Sequence, residues 1–258
     1  MPELPDLQSF TGNLNKALGG KKVKEVSIVN AQKLKVPKET LKKSIEKSTL
    51  EKVERVGKEL HLTFSNGNVL GLHLMLHGEL YILNEPNNHK HKIIELVFDD
   101  STRLVMSDYQ GAAAPKLNPE ESDAPDALSK DVDVKFLREA LKRKTSIKNV
   151  LLDQHAIRGI GNAYADEILW DAGINPFSIA NKIPGDKIKA LATSIKKVLK
   201  DAIKHITKNH PDIIKGEVRD FLNIHNAKKD KSPTGAPILV KVVGGRKTYY
   251  TDEQEMYE

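Results

Sequence analysis

Pro2 and Glu3 are the first residues of the sequence whose types could carry out chemistry together. If Met1 is removed, Pro2 presents a secondary amine; an α-amino group has a pKa of roughly 7.7–8.0, so a usable fraction is neutral at pH 7. A neutral amine can attack the C1′ carbon of a sugar and form a Schiff base, while the Glu3 carboxyl transfers a proton. The alternative is structural, because a proline and an acid also favour the first turn of a helix. The dipeptide alone leaves both interpretations open.

A turn with two glycines, at Gly159–Asn162, is the second candidate site. It separates two helical segments within the stretch Leu151–Pro176. The backbone amides of Gly159, Ile160 and Gly161, with the N-terminus of the helix that begins at Asn162, could bind an anion such as a nucleic-acid phosphate. The alternative is an ordinary turn between two helices, in which the glycines serve only the tight geometry.

The composition restricts the class of protein. The 258 residues include 41 Lys and Arg against 35 Asp and Glu, a net charge of +6 that favours a polyanionic partner without requiring one. The sequence has no cysteine, which excludes disulfides, thiolate nucleophiles and cysteine-ligated metal sites. No apolar run approaches the ~18 residues of a membrane span, and the N-terminus lacks a signal-peptide pattern. We therefore expect a cytoplasmic protein.

The elements that must position these residues differ between the two halves of the chain. The first half predicts a short helix at about Asp6–Leu18 and then an antiparallel β domain of the sandwich type. Its apolar stretches alternate with turn residues and lie at Val23–Val29, Leu60–Phe64, Val69–Leu76, Glu79–Leu83 and Ile93–Phe98.

The second half has the periodicity of helices, and the tail returns to strands. Helices are predicted at Val134–Arg143, Ile147–Leu152, Asn162–Ala172 and Asp186–Lys208. The strands Ala236–Val243 and Arg246–Thr251 flank Gly244-Gly245 and predict a β-hairpin. We predict an α+β fold with a β-sandwich domain at 1–117, a linker at 118–133, a helical domain at 134–222 and a hairpin at 223–258.

The chain resembles the formamidopyrimidine-DNA glycosylase/endonuclease VIII family. Lys144–Lys148 and Leu151–Pro176 are similar to the helix–two-turn–helix motif of that family nearly position by position, and Pro2–Pro5 resembles its catalytic N-terminus. Shorter matches lie at Gly57–Leu60, His73–Leu80, Pro125–Leu128 and Gly245–Tyr250, so the resemblance covers essentially the whole chain. It implies a DNA-binding helical domain followed by the finger hairpin of the family.

The resemblance also implies roles for single residues. Pro2 matches the Schiff-base nucleophile and Glu3 the general acid, while Lys58 matches a lysine that contacts phosphate and assists β-elimination. Arg246 matches the arginine that grips phosphate around the lesion and assists δ-elimination. DNA contacts are implied for His91, Lys144, Gly161 and Asn162, and a supporting role for Glu167. Lys58 could instead be an ordinary exposed lysine, and the loop around His91 a solvated basic turn or a metal-binding His pair.

Three departures from the family pattern bear on function. Lys231, Thr234, Thr251 and Gln254 stand where bacterial members carry four zinc-binding cysteines; they are not a plausible ligand set, so we expect a zincless finger and no cofactor. The residues that fill the gap left by a flipped nucleotide are replaced near Leu76, Tyr109 and Gln110, which predicts a weakened wedge. The loop that caps 8-oxoguanine is missing, since Phe221-Leu222 runs directly into Asn223.

Together these features predict a base-excision-repair DNA glycosylase with AP lyase activity, acting through Pro2 by β,δ-elimination. We expect a monomer that binds damaged duplex or single-stranded DNA in the bacterial cytoplasm, at the nucleoid. The missing cap favours bulky, alkylated or crosslinked bases over 8-oxoguanine, although Leu4 is typical of the branch that acts on purine lesions. The alternatives are a non-catalytic protein that binds damaged or abasic DNA, and a basic protein associated with RNA.

Overall fold

The computed structural model describes residues 1–86 and 89–258, which fall into two compact units. The first unit contains Met1–Glu121 and His205–Glu217, and the second contains Ser122–Lys204 and Val218–Glu258. The domain limits set from the sequence, at residues 117, 133 and 222, stay a prediction. Asn87 and Asn88 lie outside the described residues, between the predicted strand Glu79–Leu83 and His91.

The first unit is a β-sandwich that follows an N-terminal helix, which confirms the predicted architecture. Helix α1 (Leu4–Leu18) is followed by β1 (Val23–Ile28), α2 (Lys38–Ile45), β2 (Leu50–Val56), β3 (Glu59–Phe64), β4 (Val69–His73), β5 (Glu79–Leu83), β6 (Lys92–Phe98), β7 (Arg103–Ser107) and β8 (Ala114–Leu117). One antiparallel sheet has the order β1-β6-β7-β5, and the other has the order β2-β3-β4-β8.

The core of this unit joins α1 to both sheets. Phe10 and Leu14 of α1 are fully buried, as are Phe64 of β3 and Phe98 of β6. Burying each such side chain contributes about 1.5–3 kcal/mol relative to leaving it exposed. Packing therefore fixes α1, and with it the position of Pro2 immediately before the helix.

Four elements of the first unit, α2, β2, β7 and β8, are absent from the sequence-based expectations. In β2 and α2 the charged residues outnumber the apolar ones, and only Leu50 and Val53 of β2 and Leu41 and Ile45 of α2 are buried. Strand β8 contains Pro115, which lacks a backbone donor and is tolerated because β8 is the edge of its sheet. Their apolar patterns are too short to stand out from turns.

The second unit is helical and ends in a hairpin, as predicted. It contains α3 (Val134–Ala140), α4 (Ile147–Leu152), α5 (Asn162–Asp171), a 3-10 turn (Ala180–Lys182) and most of α6 (Gly185–Asn209). Strands β9 (Leu239–Val243) and β10 (Arg246–Tyr250) pair antiparallel across Gly244 and Gly245, both of which have positive φ as a two-residue hairpin turn requires. Over the residues that the structure describes, no helix combines the length and apolar character of a membrane span.

Candidate active site and nucleic-acid interface

Pro2 lines a cavity of about 360 Å3 in the first unit, which we call the Pro2 cavity. Pro2 itself is buried, directly before the N-terminus of α1. The remaining wall is rich in rings and charged groups rather than aliphatic side chains. The residues that line it besides Pro2 are Leu76, His77, Gly78, Glu79, Tyr81, His89, Lys90, His91, Ser107, Tyr109, Gly216 and Glu217.

Glu3, the predicted general acid, occupies the N-cap position of α1. Its backbone N–H donates to Asp6 Oδ2 at 2.8 Å, and the two residues form a reciprocal capping box. Glu3 is only 4% exposed, and it is not among the described residues that line the Pro2 cavity. The structural role that the dipeptide left open is therefore realised, and proton transfer by Glu3 would require its carboxyl to leave the cap.

Lys58 lies in the turn that connects β2 to β3, after Gly57 with its positive φ. The next residue, Glu59, accepts hydrogen bonds from His61 and Lys116. Burial raises the pKa of Glu59, but these hydrogen bonds and the charges of Lys116 and His73 together outweigh burial and hold the pKa at about 2. Burial lowers the pKa of His73, and the positive charges of Lys116 and Lys58 lower it further. Lys58 is therefore next to a carboxylate, that of Glu59, which forms an ion pair with Lys116.

His91 and the rings near it line the Pro2 cavity. The His77 and Tyr109 rings lie 4.5 Å apart between centroids, and those of Tyr81 and His89 lie 4.1 Å apart. His91 has a positive φ, and its carbonyl accepts from the Asp108 N–H at 3.0 Å. This part of the first unit offers several flat faces on which a base could stack.

The predicted wedge positions are exposed beside this cavity. Leu76 and Tyr109 are each 59% exposed. The loop that carries Tyr109 and Gln110 is held by the buried Asp108, whose carboxylate accepts from the backbone N–H groups of Gln110, Ala112 and Ala113. Tyr109 is therefore presented to solvent by a loop that hydrogen bonds hold in place, and Leu76 by the connection between β4 and β5.

In the second unit, hydrogen bonds hold the predicted phosphate-binding turn, Gly159–Asn162, at both of its ends. Gly159 has a positive φ, and its N–H donates to Gln154 Oε1 at 3.0 Å, so this amide is engaged within the turn. Gly161 is the N-cap of α5, and the Asn162 side chain donates to the Lys247 carbonyl of the hairpin at 2.9 Å. Lys144 is exposed, just before α4. The turn therefore links α5 to the hairpin.

A buried cluster that the sequence did not indicate holds the same hairpin, and we call it the hairpin anchor: Lys148, Asp166, His225, Thr248 and Tyr249. Asp166 is fully buried and contacts Lys148 Nζ at 2.6 Å and His225 Nδ1 at 2.7 Å. It also accepts the Tyr249 N–H at 2.9 Å, and Lys148 donates to Thr248 Oγ1 at 2.8 Å. Arg246, two residues before Thr248, is exposed.

Glu167, predicted to play a supporting role, fixes the chain that leads to the hairpin. Its carboxylate accepts the backbone N–H groups of Asn223, Ile224 and His225 at 2.8–2.9 Å. Burial raises the pKa of Glu167, although these three hydrogen bonds act in the opposite direction. The segment that directly follows Leu222 is thereby bound to α5.

The four positions that would hold zinc in the family do not fit the metal. Thr251 and Gln254 are buried and bonded to each other through the Thr251 N–H and Gln254 Oε1 at 2.8 Å, and Gln254 also donates to the Ile174 carbonyl. Thr234 donates to Glu253 at 2.7 Å. Hydroxyl, amide and lysine side chains are not the thiolate and imidazole ligands that structural zinc requires.

Comparisons with known proteins match both units. The family model described as "Formamidopyrimidine-DNA glycosylase N-terminal domain" matches residues 1–114. The family model described as "Formamidopyrimidine-DNA glycosylase H2TH domain" matches residues 124–211. The chain is 32% identical to the formamidopyrimidine-DNA glycosylase of Pelotomaculum thermopropionicum, with 97% of each chain covered. It is 28% identical to that of Ligilactobacillus salivarius, again with 97% of each covered.

Solved structures give the same result over the whole length. The formamidopyrimidine-DNA glycosylase of Lactococcus lactis, bound non-covalently to DNA that contains an AP site, superimposes with a TM-score of 0.86 at 25% identity, covering 98% of this chain and 100% of that one. A structure of MutM in complex with DNA that contains carbocyclic 8-oxo-G gives a TM-score of 0.87 at 27% identity, with the same coverage.

Proposed function

Since the chain belongs to the formamidopyrimidine-DNA glycosylase family of bifunctional DNA glycosylases and AP lyases, we propose that it excises damaged bases through a Schiff base on Pro2 and cleaves the strand by β,δ-elimination. It is thus a base-excision-repair enzyme whose partner is DNA. The observation that carries the proposal is the place of Pro2, on the wall of an open cavity at the start of α1. The positive end of a helix favours the neutral form of a nearby amine, which is the nucleophilic form.

The other residues have proposed roles around this amine. Glu3 donates a proton to the departing base or the opening sugar once it leaves the helix cap. Lys58 and Arg246 bind phosphates and assist the two eliminations, and the exposure of Arg246 supports such a contact. DNA contacts are proposed for His91, Lys144, Gly161 and Asn162, with the amide of Gly161 and the N-terminus of α5 facing a phosphate. The finger is proposed to work without zinc.

The proposed substrate is a bulky, alkylated or crosslinked base rather than 8-oxoguanine. Two features support it: the short connection after Leu222, which Glu167 binds to α5, and an exposed wedge of Leu76 and Tyr109 that lacks an arginine. A panel of duplexes, each with one lesion, tests the proposal by single-turnover cleavage. Efficient and selective excision of 8-oxoguanine opposite cytosine would contradict it.

Borohydride trapping tests the central step. The wild-type chain, with loss of Met1 verified by mass spectrometry, should form a covalent adduct with abasic duplex DNA in borohydride, and Pro2→Gly should form none. If Pro2→Gly traps as well as wild type, the nucleophile lies elsewhere.

The second candidate is a non-catalytic protein that binds damaged or abasic DNA. The observation that favours it is the engagement of Glu3 in the capping box, away from the cavity wall. Tight binding of abasic DNA by a chain that lacks Met1 yet gives no adduct would select this candidate. For either function we propose a monomer in the bacterial cytoplasm, since the curated relatives named above are bacterial.

A further inference from the structure

Glu217 lies at the N-terminal amine in the first unit. Its carboxylate forms an ion pair with the amino group of Met1, and both Glu217 and Pro2 line the Pro2 cavity. The nitrogens of successive residues lie within about 4 Å of each other, because only three backbone bonds separate them. Removal of Met1 therefore transfers the charged end of the chain to Pro2 and leaves it within reach of the same carboxylate.

The segment that carries Glu217 is anchored to the sandwich. Ile213 and Ile214 pack against the core, and the Ile213 carbonyl accepts from the Asn13 side chain at 2.8 Å. The Lys215 Nζ lies 3.9 Å from the centre of the Tyr81 ring. Gly216 then adopts a positive φ of 77°, which turns the chain so that Glu217 reaches the N-terminus. The carboxylate is held there by the fold.

Other carboxylates near Pro2 take part in hydrogen bonds within the first unit. Glu3 and Asp6 form the capping box of α1, and Glu79, on the cavity wall, accepts a hydrogen bond from the Tyr81 hydroxyl. Glu217 is about one-third exposed, so it is accessible to a substrate that enters the cavity. It combines contact with the amine and access to the cavity, which Glu3 does not.

We infer that Glu217 accepts the proton that leaves the Pro2 nitrogen during catalysis. This inference rests on the proposed function. The lone pair of the neutral Pro2 amine forms the N–C1′ bond as the bond between C1′ and the base breaks, and the base leaves with its electron pair and takes up a proton. The attached nitrogen then carries a positive charge and one hydrogen. Glu217 removes that proton; the C1′–O4′ bond breaks, O4′ is protonated, and the iminium forms.

Single-turnover cleavage of abasic duplex DNA across a pH series tests the inference. On this substrate the amine adds to the C1′ aldehyde and water leaves in place of a base, with the same loss of a proton from nitrogen. Glu217→Gln should lower the plateau rate on the order of 10²-fold. It should also move the acid limb of the profile to lower pH, because an anion beside the amine favours its protonated form. Glu217→Asp should recover part of the rate.

Other titrating groups face the same cavity, so the comparison must be made between variants. Besides Glu79, Tyr81 and Lys215 these are His77, His89, Lys90, His91 and Tyr109. All of them remain in Glu217→Gln and should contribute equally to both profiles. Glu39→Gln makes the same chemical change on α2, at an exposed residue paired with Lys42, and should leave the profile as in wild type.

The outcomes separate the inference from the proposed function. If Glu217→Gln keeps both the plateau rate and the acid limb while Pro2→Gly abolishes trapping, Glu217 is not the acceptor and the proposed function stands. If the rate falls only because affinity for DNA or the unfolding temperature falls, with the acid limb unmoved, the role is structural and the inference is overturned. If Pro2→Gly traps normally, the proposed function itself fails.

Discussion

The Pro2 cavity and the hairpin anchor place their polar groups in opposite surroundings. The cavity is open, and the Leu76 and Tyr109 side chains beside it are 59% exposed. In the anchor, Asp166 is fully buried and the Lys148 side chain is 6% exposed, yet the residue that the hairpin presents, Arg246, is exposed. The first region exposes its side chains, as the proposed substrate site requires, whereas the second buries charges that hold a backbone. Substitutions should therefore affect chemistry in the first region and stability in the second.

Asp166→Ala is expected to have the largest effect on stability. It leaves the Lys148 ammonium buried without its partner, and breaking a buried ion pair in this way costs about 3–5 kcal/mol of the free energy of unfolding. Chemical denaturation measures the loss. Glu139→Ala is the matched control, since its pair with Lys142 is exposed and should contribute about 0–1 kcal/mol.

A double replacement sharpens the result. Lys148→Met with Asp166→Leu removes both charges and should recover much of the stability lost in Asp166→Ala, because apolar residues of similar volume can replace a buried pair. A loss for Asp166→Ala no larger than that for Glu139→Ala would show that the anchor does not hold the hairpin.

The charge cluster beside Lys58 is expected to give the next largest effect, through pH. The pKa of Glu59 in the folded chain is about 2, below its ordinary value of 4.5. A lowered pKa means that its stabilisation is complete above pH 4.5 and is lost as the pH falls towards 2; its size is at most about 3 kcal/mol. Denaturation of wild type and Glu59→Gln should differ at pH 6 and converge near pH 2. A constant difference would contradict this.

Glu167→Gln tests the hydrogen bonds that hold residues 223–225 to α5, and it should change the free energy of unfolding by about 1 kcal/mol. Burial raises the pKa of Glu167, so the folded state disfavours its ionised form. The stability of wild type should therefore fall relative to Glu167→Gln as the pH rises above 4.5. Urea denaturation at several pH values from 4 to 8 measures the trend. The opposite trend would mean that the three backbone hydrogen bonds outweigh burial.

The secondary-structure elements were not equally predictable from the sequence. Helix α1 and the hairpin follow from local signals, an apolar stripe in one case and Gly244-Gly245 between strands in the other. Strand β2 does not, because its isolated apolar residues, separated by charged ones, are also typical of a turn. Its strand conformation depends on pairing with β3. Local periodicity thus predicts an element only when its own residues decide its structure.

Candidate site residues divide in the same way. Pro2 and Arg246 stand out by their motifs, but Asp166 is next to Glu167 on α5 and has no pattern of its own. Its role depends on Lys148, His225 and Tyr249, which are distant in sequence. Glu217 likewise acquires its place only when residues 205–217 join the first unit. Such contacts arise from tertiary packing, which a single sequence does not display.

Leu76→Ala, in the Pro2 cavity, should have the smallest effect on stability of these substitutions. Leu76 is largely exposed, so the free energy of unfolding should change by no more than about 0.5 kcal/mol. If Leu76 fills the space left by a flipped nucleotide, binding of abasic duplex DNA should weaken by about 1 kcal/mol, or roughly fivefold, through loss of buried apolar area. Fluorescence anisotropy measures this against Val29→Ala, a similar but smaller apolar truncation at a residue 55% exposed. Equal affinity of the two variants would assign the wedge to Tyr109 or Gln110 instead.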